Sequence, residues 1–512
     1  MSEKIVLRYA PSPTGPQHIG GIRTALYCYY LAQQKDGELI LRIEDTDQTR
    51  FVAGAEQFIV DSCSWLGIAF TQGAHVGGPN APYRQSERTE LYQKYAQQLL
   101  DQGHAYLAFD TPEELEAMRQ RLEEAGADNR TYNYMTRMSM RNSLTLSAEE
   151  VQQRLTAGEP HVVRFKVPEK SEIRFHDIIR GHLHFHGSHV DDKVLLKSDG
   201  LPTYHLANVV DDHHMGVTHV IRGEEWLPST PLHVLLYDAL GWREEMPQFA
   251  HLALLLGPKG KLSKRAGDKY GIPVFPMDWQ DKASGDTWKG YKEMGYLPEA
   301  LMNYLSLLGW HPGGEQELLT REELIARFSL ERCHHAGAKF DMAKLNSFQQ
   351  HYLRQKPGET IAAALKPIVD AAGLPYPNEA YLAQVADLMR ERITFVRDIP
   401  EQAPYFFRAP TTYNEKMTRK NWKTLNKELL TEFRGRLNEL TQWSAPLVQD
   451  HFKTFLAEKE VGFGKLGAPL RLALTGLPSG PGAFDIAETI GRTEALARID
   501  RALAELPASD QA

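Results

Sequence analysis

The chain has 512 residues, 42% hydrophobic and 24% charged, with a net charge of −8. That length suggests several domains at about 100–200 residues each. The composition supports buried cores, and the acidic balance excludes an indiscriminate nucleic-acid coat, though not a partner held on one basic face. Three scattered cysteines, Cys28, Cys63 and Cys333, do not make a disulfide framework. No apolar run approaches the ~18–20 residues that span a bilayer. The opening MSEKIVLRYA lacks the basic, apolar, small-residue pattern of a secretion signal, so a cytoplasmic protein is expected.

Residues 4–10 read as a β-branched, apolar strand and 18–34 as a helix, joined by a loop with three prolines and a glycine. Residues 38–47, ELILRIEDTD, read as a second strand ending in acids. Strand, loop, helix, strand makes a βαβ unit, whose ligand is expected at the first strand's carboxyl end, beside the helix N-terminus. That terminus carries unpaired N–H groups. His18 there can donate to a phosphate, with its charge within reach of physiological pH, and Gly20 and Gly21 leave room for a base or phosphate. In isolation the same HIGG fits a capped helix with a surface histidine.

From about 86 to 194 the texture changes to a charged helix pair near 111–125 and alternating strands, as in an insertion. His182, His184 and His186 alternate along one strand there. Without a matching acid or cysteine cluster they read as an exposed face, not a metal site. The βαβ texture returns at 203–226, with a helix at 229–242. GKLSKRAG (260–267) sets Lys261, Ser263 and Lys264 in a glycine-bounded loop, mobile donors suited to a triphosphate. From about 318 onward the period is helical. The stretch KMTRKNWKTLNKELLTEFRGR (416–436) reads either as a solvated helix face or as a phosphate-contacting one.

PSPTGPQHIGG together with KLSKR resembles the two ATP-binding signatures of class I aminoacyl-tRNA synthetases. LRIEDTDQTR (41–50), TYHLANVVDDHHMGVTHVIRGEEW (203–226) and GAPLRLALTGLPSGPGAFDIAETIGR (467–492) are similar to the bacterial glutamyl-tRNA synthetases, so the likeness runs essentially end to end. The resemblance implies that L-glutamate and ATP condense to an adenylate, and that the glutamyl group passes to the 3′ end of tRNA(Glu). It implies a glutamate site of Arg8, Ala10, Ser12, Glu44, Tyr204, Asn208 and Arg222. It places ATP at His18, Gly20, Gly21, Glu225, Leu254, Leu255, Lys261, Ser263 and Lys264, with His18, Lys261 and Lys264 catalytic. Magnesium would travel with ATP. Arg354 falls near the position of an arginine that reads the third anticodon base in discriminating members.

The expected architecture is a Rossmann-type α/β catalytic domain in two halves (1–85 and 195–255) around an inserted α+β acceptor-end domain (86–194). A stem-contact domain (256–340) and an all-α anticodon-binding region (341–512) follow, in a monomer. Glutaminyl-tRNA synthetase, the nearest sister, carries β-barrels where this chain is helical, and a truncated paralogue that modifies a tRNA base lacks that half. Many bacterial relatives place a Cys-x-Cys zinc pair before TPEEL. Here Ala108 and Asp110 stand at those places, so no structural zinc is expected. The motif reads HIGG rather than HIGH, and the stretch after KLSKR, 266–290, is longer than in compact relatives. It is taken as a surface elaboration.

Overall fold

The computed structural model describes residues 4–127, 129–282 and 284–510. The chain divides into two units, one of residues up to 294 with 298–342, the other of 295–297 with the residues from 343 onward. Strands of the first unit, in chain order, are β1 (Val6–Tyr9), β2 (Glu38–Leu41), β3 (Gln72–Gly73), β4 (Ala105–Ala108), β5 (Val162–Phe165), β6 (Glu172–Asp177), β7 (Gly181–His186), β8 (Val194–Leu196), β9 (His219–Gly223) and β10 (Gln248–Leu252). Helices α1 (Ile19–Gln34), α2 (Ala55–Trp65), α3 (Thr89–Asp101), α4 (Pro112–Glu124), α5 (Ala148–Thr156), α6 (Tyr204–His214), α7 (Thr230–Leu240) and α8 (Lys264–Tyr270) intervene.

Seven strands form one sheet in the order β3-β2-β1-β9-β10-β6-β7. β1 pairs in parallel with β2 on one side and β9 on the other, so the strand order reverses between β1 and β9. A crevice opens at the carboxyl ends of strands at such a reversal. Buried strands that read as near-continuous apolar runs suit this position: Leu7, Leu39, Ile40, Val220 and Ile221 are at most 1% exposed. α1 is buried at every residue from Ala25 to Ala32, as an all-round apolar helix must be.

Three differences from the sequence reading bear on the site. The strand expected over 38–47 stops at Leu41, because the Glu44 amide turns back to the Pro11 carbonyl at 3.1 Å. The helix pair near 111–125 is the single helix α4, opened by a Thr111–Glu114 capping box with Pro112 at its first turn. The stretch 86–194 also divides. β4, β5 and β8 make a separate antiparallel sheet, over a small core that includes Tyr106, Met118 and Tyr132. The β6–β7 hairpin instead extends the main sheet, with β6 parallel to β10. Long-range pairing of that kind leaves no local mark, since an alternating strand reads alike in either sheet.

His182 and His184 are exposed on β7. Ala108 is a buried strand residue, and both Asp110 oxygens are taken, by the Tyr132 hydroxyl at 2.9 Å and the Arg141 amide at 2.7 Å. These residues do not fit a zinc site. Among the described residues no helix is long and apolar enough to cross a membrane.

The second unit holds helices from Met342–Arg354 to Arg492–Glu505 around two apolar cores, one containing Leu365, Leu382 and Val385. The other contains Trp422, Phe433, Phe452 and Leu470. The basic stretch 416–436 is two helices, Glu415–Asn421 and Thr424–Leu437. Its later cations are already engaged: Arg434 pairs with Asp500 at 2.6 Å, Arg436 with Glu458, and Lys427 donates to the Leu506 carbonyl at 2.7 Å. Lys416, Arg419, Lys420 and Lys423 remain exposed.

Candidate active site

A cavity of about 780 Å³ sits where the main sheet reverses order, and every residue expected to bind glutamate or ATP lines it. Arg354 lies elsewhere, at the end of a helix in the second unit, its guanidinium paired with Glu391 at 3.3 Å.

The start of α1 departs from expectation. Its first amides are not free: Ile19 donates to the Val274 carbonyl (2.9 Å), Gly20 to His18 Nδ1 (2.9 Å), and Gly21 and Ile22 to the His18 carbonyl (2.8 and 3.2 Å). His18 is thus the N-cap. Because Nδ1 accepts, the ring proton belongs on Nε2, which is out of solvent. Burial, then the neighbouring Lys261 and Arg23 cations, hold the His18 pKa down to about 4, and the Leu262 carbonyl offsets them only in part. The expected titration near physiological pH is therefore corrected: His18 is a neutral donor. Gly21 lines the cavity and also serves packing, since a Cβ there would overlap the Gln17 amide and meet the Tyr9 hydroxyl at 3.0 Å.

At one end of the cavity the charges are buried and locked. Arg8, at the carboxyl end of β1, donates through Nε to Asp212 at 3.2 Å, and Arg42 reaches the same carboxylate at 2.7 Å. Glu44 is held by Arg42 at 3.2 Å and by Asn208 Nδ2 at 3.1 Å. Burial pushes the Glu44 carboxyl above its ordinary range against the pull of Arg42 and Arg8, so an incoming cation would relieve it. Tyr204 and Asn208 stand one turn apart on α6 and share its cavity face. Arg222, only 5% exposed, is different. Its donors meet the Tyr204 hydroxyl (2.8 Å), Thr230 Oγ1 (2.8 Å) and His251 Nε2 (3.0 Å), all neutral. Among the described residues no carboxylate pairs with it within 4.0 Å. A buried guanidinium without an anion is costly unless a ligand supplies one.

At the other end the donors are exposed. Lys261 and Lys264 flank Ser263, the N-cap of the short helix α8. β11 (Leu255–Gly257) and β12 (Gly260–Lys261) carry this loop, and β11 also pairs with β15 (Ala338–Lys339). The Leu254 amide bonds Glu224 (3.1 Å) and its carbonyl takes the Ala338 amide, so Leu254 offers the cavity little free backbone. Lys261 faces Glu225 across 3.8 Å.

Comparison with known proteins accords with this geometry. Residues 4–347 match the family described as tRNA synthetases class I (E and Q), catalytic domain, and residues 360–503 an anticodon binding domain. A glutamate–tRNA ligase of Cytophaga hutchinsonii is 51% identical over 99% of this chain and 98% of its own length. That of Amoebophilus asiaticus is 51% identical over 98% of each. The chain belongs to the glutamate–tRNA ligases. In three dimensions it is similar to a glutamate–tRNA ligase from Elizabethkingia meningosepticum crystallised with its amino acid, with a TM-score of 0.93 and 46% identity over 99% of this chain and 100% of that one.

Several cavity residues of this ligase family member escaped the sequence reading. Trp226, inside the quoted GEEW, packs on Tyr204 with ring centroids 4.5 Å apart. Phe275, Trp279, Asp281 and Trp288 also line the cavity. The latter come from the stretch taken as a surface elaboration, and that expectation is corrected. β13 (Trp279–Gln280) and β14 (Thr287–Trp288) form a hairpin, fastened by Asp278 to the Gly290 amide (2.7 Å) and to Lys289 (2.8 Å). Trp279 meets Phe58 of α2 edge-on at 5.3 Å, and the Lys264 ammonium lies 3.2 Å from the Trp288 ring centroid. Two tryptophans in so polar a run were the one available signal.

Proposed function

We propose that this chain activates L-glutamate with ATP, as an enzyme-bound glutamyl-adenylate, and transfers the glutamyl group to the 3′ end of tRNA(Glu). The observation that carries the reading is Arg222, a buried guanidinium with neutral partners only, sharing a cavity with the buried Glu44. A small dicarboxylate with an ammonium group complements that pair: carboxylate to Arg222 and Arg8, ammonium to Glu44, with Ala10, Ser12, Tyr204 and Asn208 shaping the pocket.

In adenylation the α-carboxylate attacks the α-phosphorus, so the protein supplies position and charge rather than a nucleophile. His18 donates from Nε2 to a phosphoryl oxygen, Lys264 stabilises the developing charge, and Lys261 with Ser263 follows the departing pyrophosphate. Gly20, Gly21, Glu225, Leu254 and Leu255 bound the nucleoside, and ATP brings its own Mg2+. We assign the part of 86–194 built on β4, β5 and β8 to the acceptor end, 256–340 to stem contact and 341–512 to the anticodon, in a cytoplasmic monomer. Arg354 would read the third anticodon base, after exchanging its exposed pairing with Glu391 for an RNA edge. Exposed pairs of that kind are weak, about 0–1 kcal/mol.

The test is glutamate charging by the purified protein with ATP, magnesium and tRNA(Glu) or tRNA(Gln) in separate reactions. Charging of tRNA(Glu) is expected. Failure to charge any glutamate tRNA would refute the function, and an Arg354→Gln variant that separates the two tRNAs as well as the parent would remove Arg354 from anticodon reading.

A further inference from the structure

Arg222 is fixed from behind by residues that no sequence signature marks. At the carboxyl ends of three adjacent strands stand Arg222 on β9, His251 directly beside it in register on β10, and Asp177 closing β6. His251 and Asp177 are fully buried. Arg222 Nε lies 3.0 Å from His251 Nε2, and His251 Nδ1 lies 2.6 Å from Asp177 Oδ2. Asp177 is fixed in turn by the backbone amides of Ile179 (3.0 Å), Arg180 (2.9 Å) and His251 (3.1 Å). Thr230 Oγ1, 3.1 Å from His251 Nε2, closes the triangle by accepting from Arg222 Nη2.

Donor logic settles the tautomer. A guanidinium only donates, so Nε2 must accept. The ring proton then sits on Nδ1, where the carboxylate takes it. The chain of bonds runs one way, from arginine through imidazole to carboxylate. Burial, against the Asp177 hydrogen bond and with the help of Arg222, holds His251 down to about 4, in keeping with a neutral ring.

We propose that Asp177 and His251 are positioning residues for substrate selection: they fix the plane of Arg222 while leaving its charge undischarged for the substrate carboxylate. Arg8 offers the contrast. A carboxylate grips it directly, and so offsets the very charge a substrate would need. A neutral ring between Arg222 and Asp177 gives orientation without that loss. This inference rests on the reading of Arg222 as a carboxylate receptor.

Asp177→Asn is the sharpest variant, because an amide that donates to Nδ1 forces the ring proton onto Nε2, against Arg222. The assay is ATP–pyrophosphate exchange with tRNA(Glu) present. The expected result is a rise of about 10- to 100-fold in the glutamate KM and a narrowed preference for glutamate over glutamine, with the ATP KM unchanged. His251→Gln, which keeps an acceptor near Nε2, should lose less than His251→Leu. Equal losses for glutamate and ATP, or an Asp177→Asn enzyme indistinguishable from the parent, would overturn the proposal. Should the variants fail to fold, nitrogen NMR of the unmodified protein decides: a proton on Nδ1 of His251 supports the proposal and one on Nε2 refutes it. A parent enzyme without any glutamate-dependent exchange would instead remove the reading of the site itself.

Discussion

The two ends of the cavity solve opposite problems. At the amino-acid end every charged group is buried and bonded: Arg8 to Asp212, Glu44 to Arg42 and Asn208, Arg222 to Tyr204, Thr230 and His251. At the nucleotide end Lys261 and Lys264 are exposed and rest against a carboxylate and an indole. Rejecting a near-isostere demands donors that cannot re-aim, since discrimination comes from polar groups left unpaired by the wrong substrate. Neutralising a triphosphate that must break demands ammonium groups that can follow the moving charge. The contrast teaches that selectivity and charge stabilisation are carried here by groups of different mobility.

Breaking the rigid end should cost most. Arg222→Gln removes two charge-assisted bonds, so kcat/KM for glutamate is expected to fall about 10²- to 10⁴-fold while the ATP KM stays nearly constant. Steady-state exchange kinetics at varied glutamate check this, and a parallel loss in both substrates would erase the distinction between the ends. Lys264→Ala should lower the exchange rate about 10²- to 10³-fold with the glutamate KM little changed.

Acid sharpens the comparison in another way. Desolvation first, with nearby cations, holds His18, His205 and His251 down to about 4, so each is neutral at physiological pH. The unfolded chain takes up protons near pH 6.5 that the folded chain refuses until about pH 4, so folding stability rises with pH across that window and is lost as pH falls through it. Urea midpoints should accordingly be lower at about pH 5 than at about pH 7.5. A flat profile would contradict the neutral state of these rings. The smallest effect is expected at Trp288→Leu: losing an exposed cation–π rest for Lys264 should alter ATP kinetics about two- to fivefold, with Trp288→Phe restoring most of it.

The sequence made the frame of this site readable because each half has a local signature. The HIGG turn and the KLSKR loop announce themselves by spacing, and Tyr204 and Asn208 by one helical turn. What escaped depends on contacts across the sheet. His251 is a lone histidine in the apolar run FAHLALLL, indistinguishable there from a satisfied core residue. Asp177 ends a strand whose sheet is set by long-range pairing. The free amides expected at the start of α1 were absent because a carbonyl some 250 residues away, that of Val274, had taken one of them. The stretch 266–290 that supplies this carbonyl and Trp288 read as surface, since its two-residue strands carry no periodicity.

The most direct test of the central claim, that a locked but undischarged Arg222 selects the substrate, is the ratio of kcat/KM for glutamate to that for glutamine in tRNA(Glu) charging by the unmodified protein. A ratio of about 10⁴ or more is the predicted result. Glutamine charged within about tenfold of glutamate would mean that Arg222 does not read the carboxylate, and that the rigidity of this end of the cavity serves the fold alone.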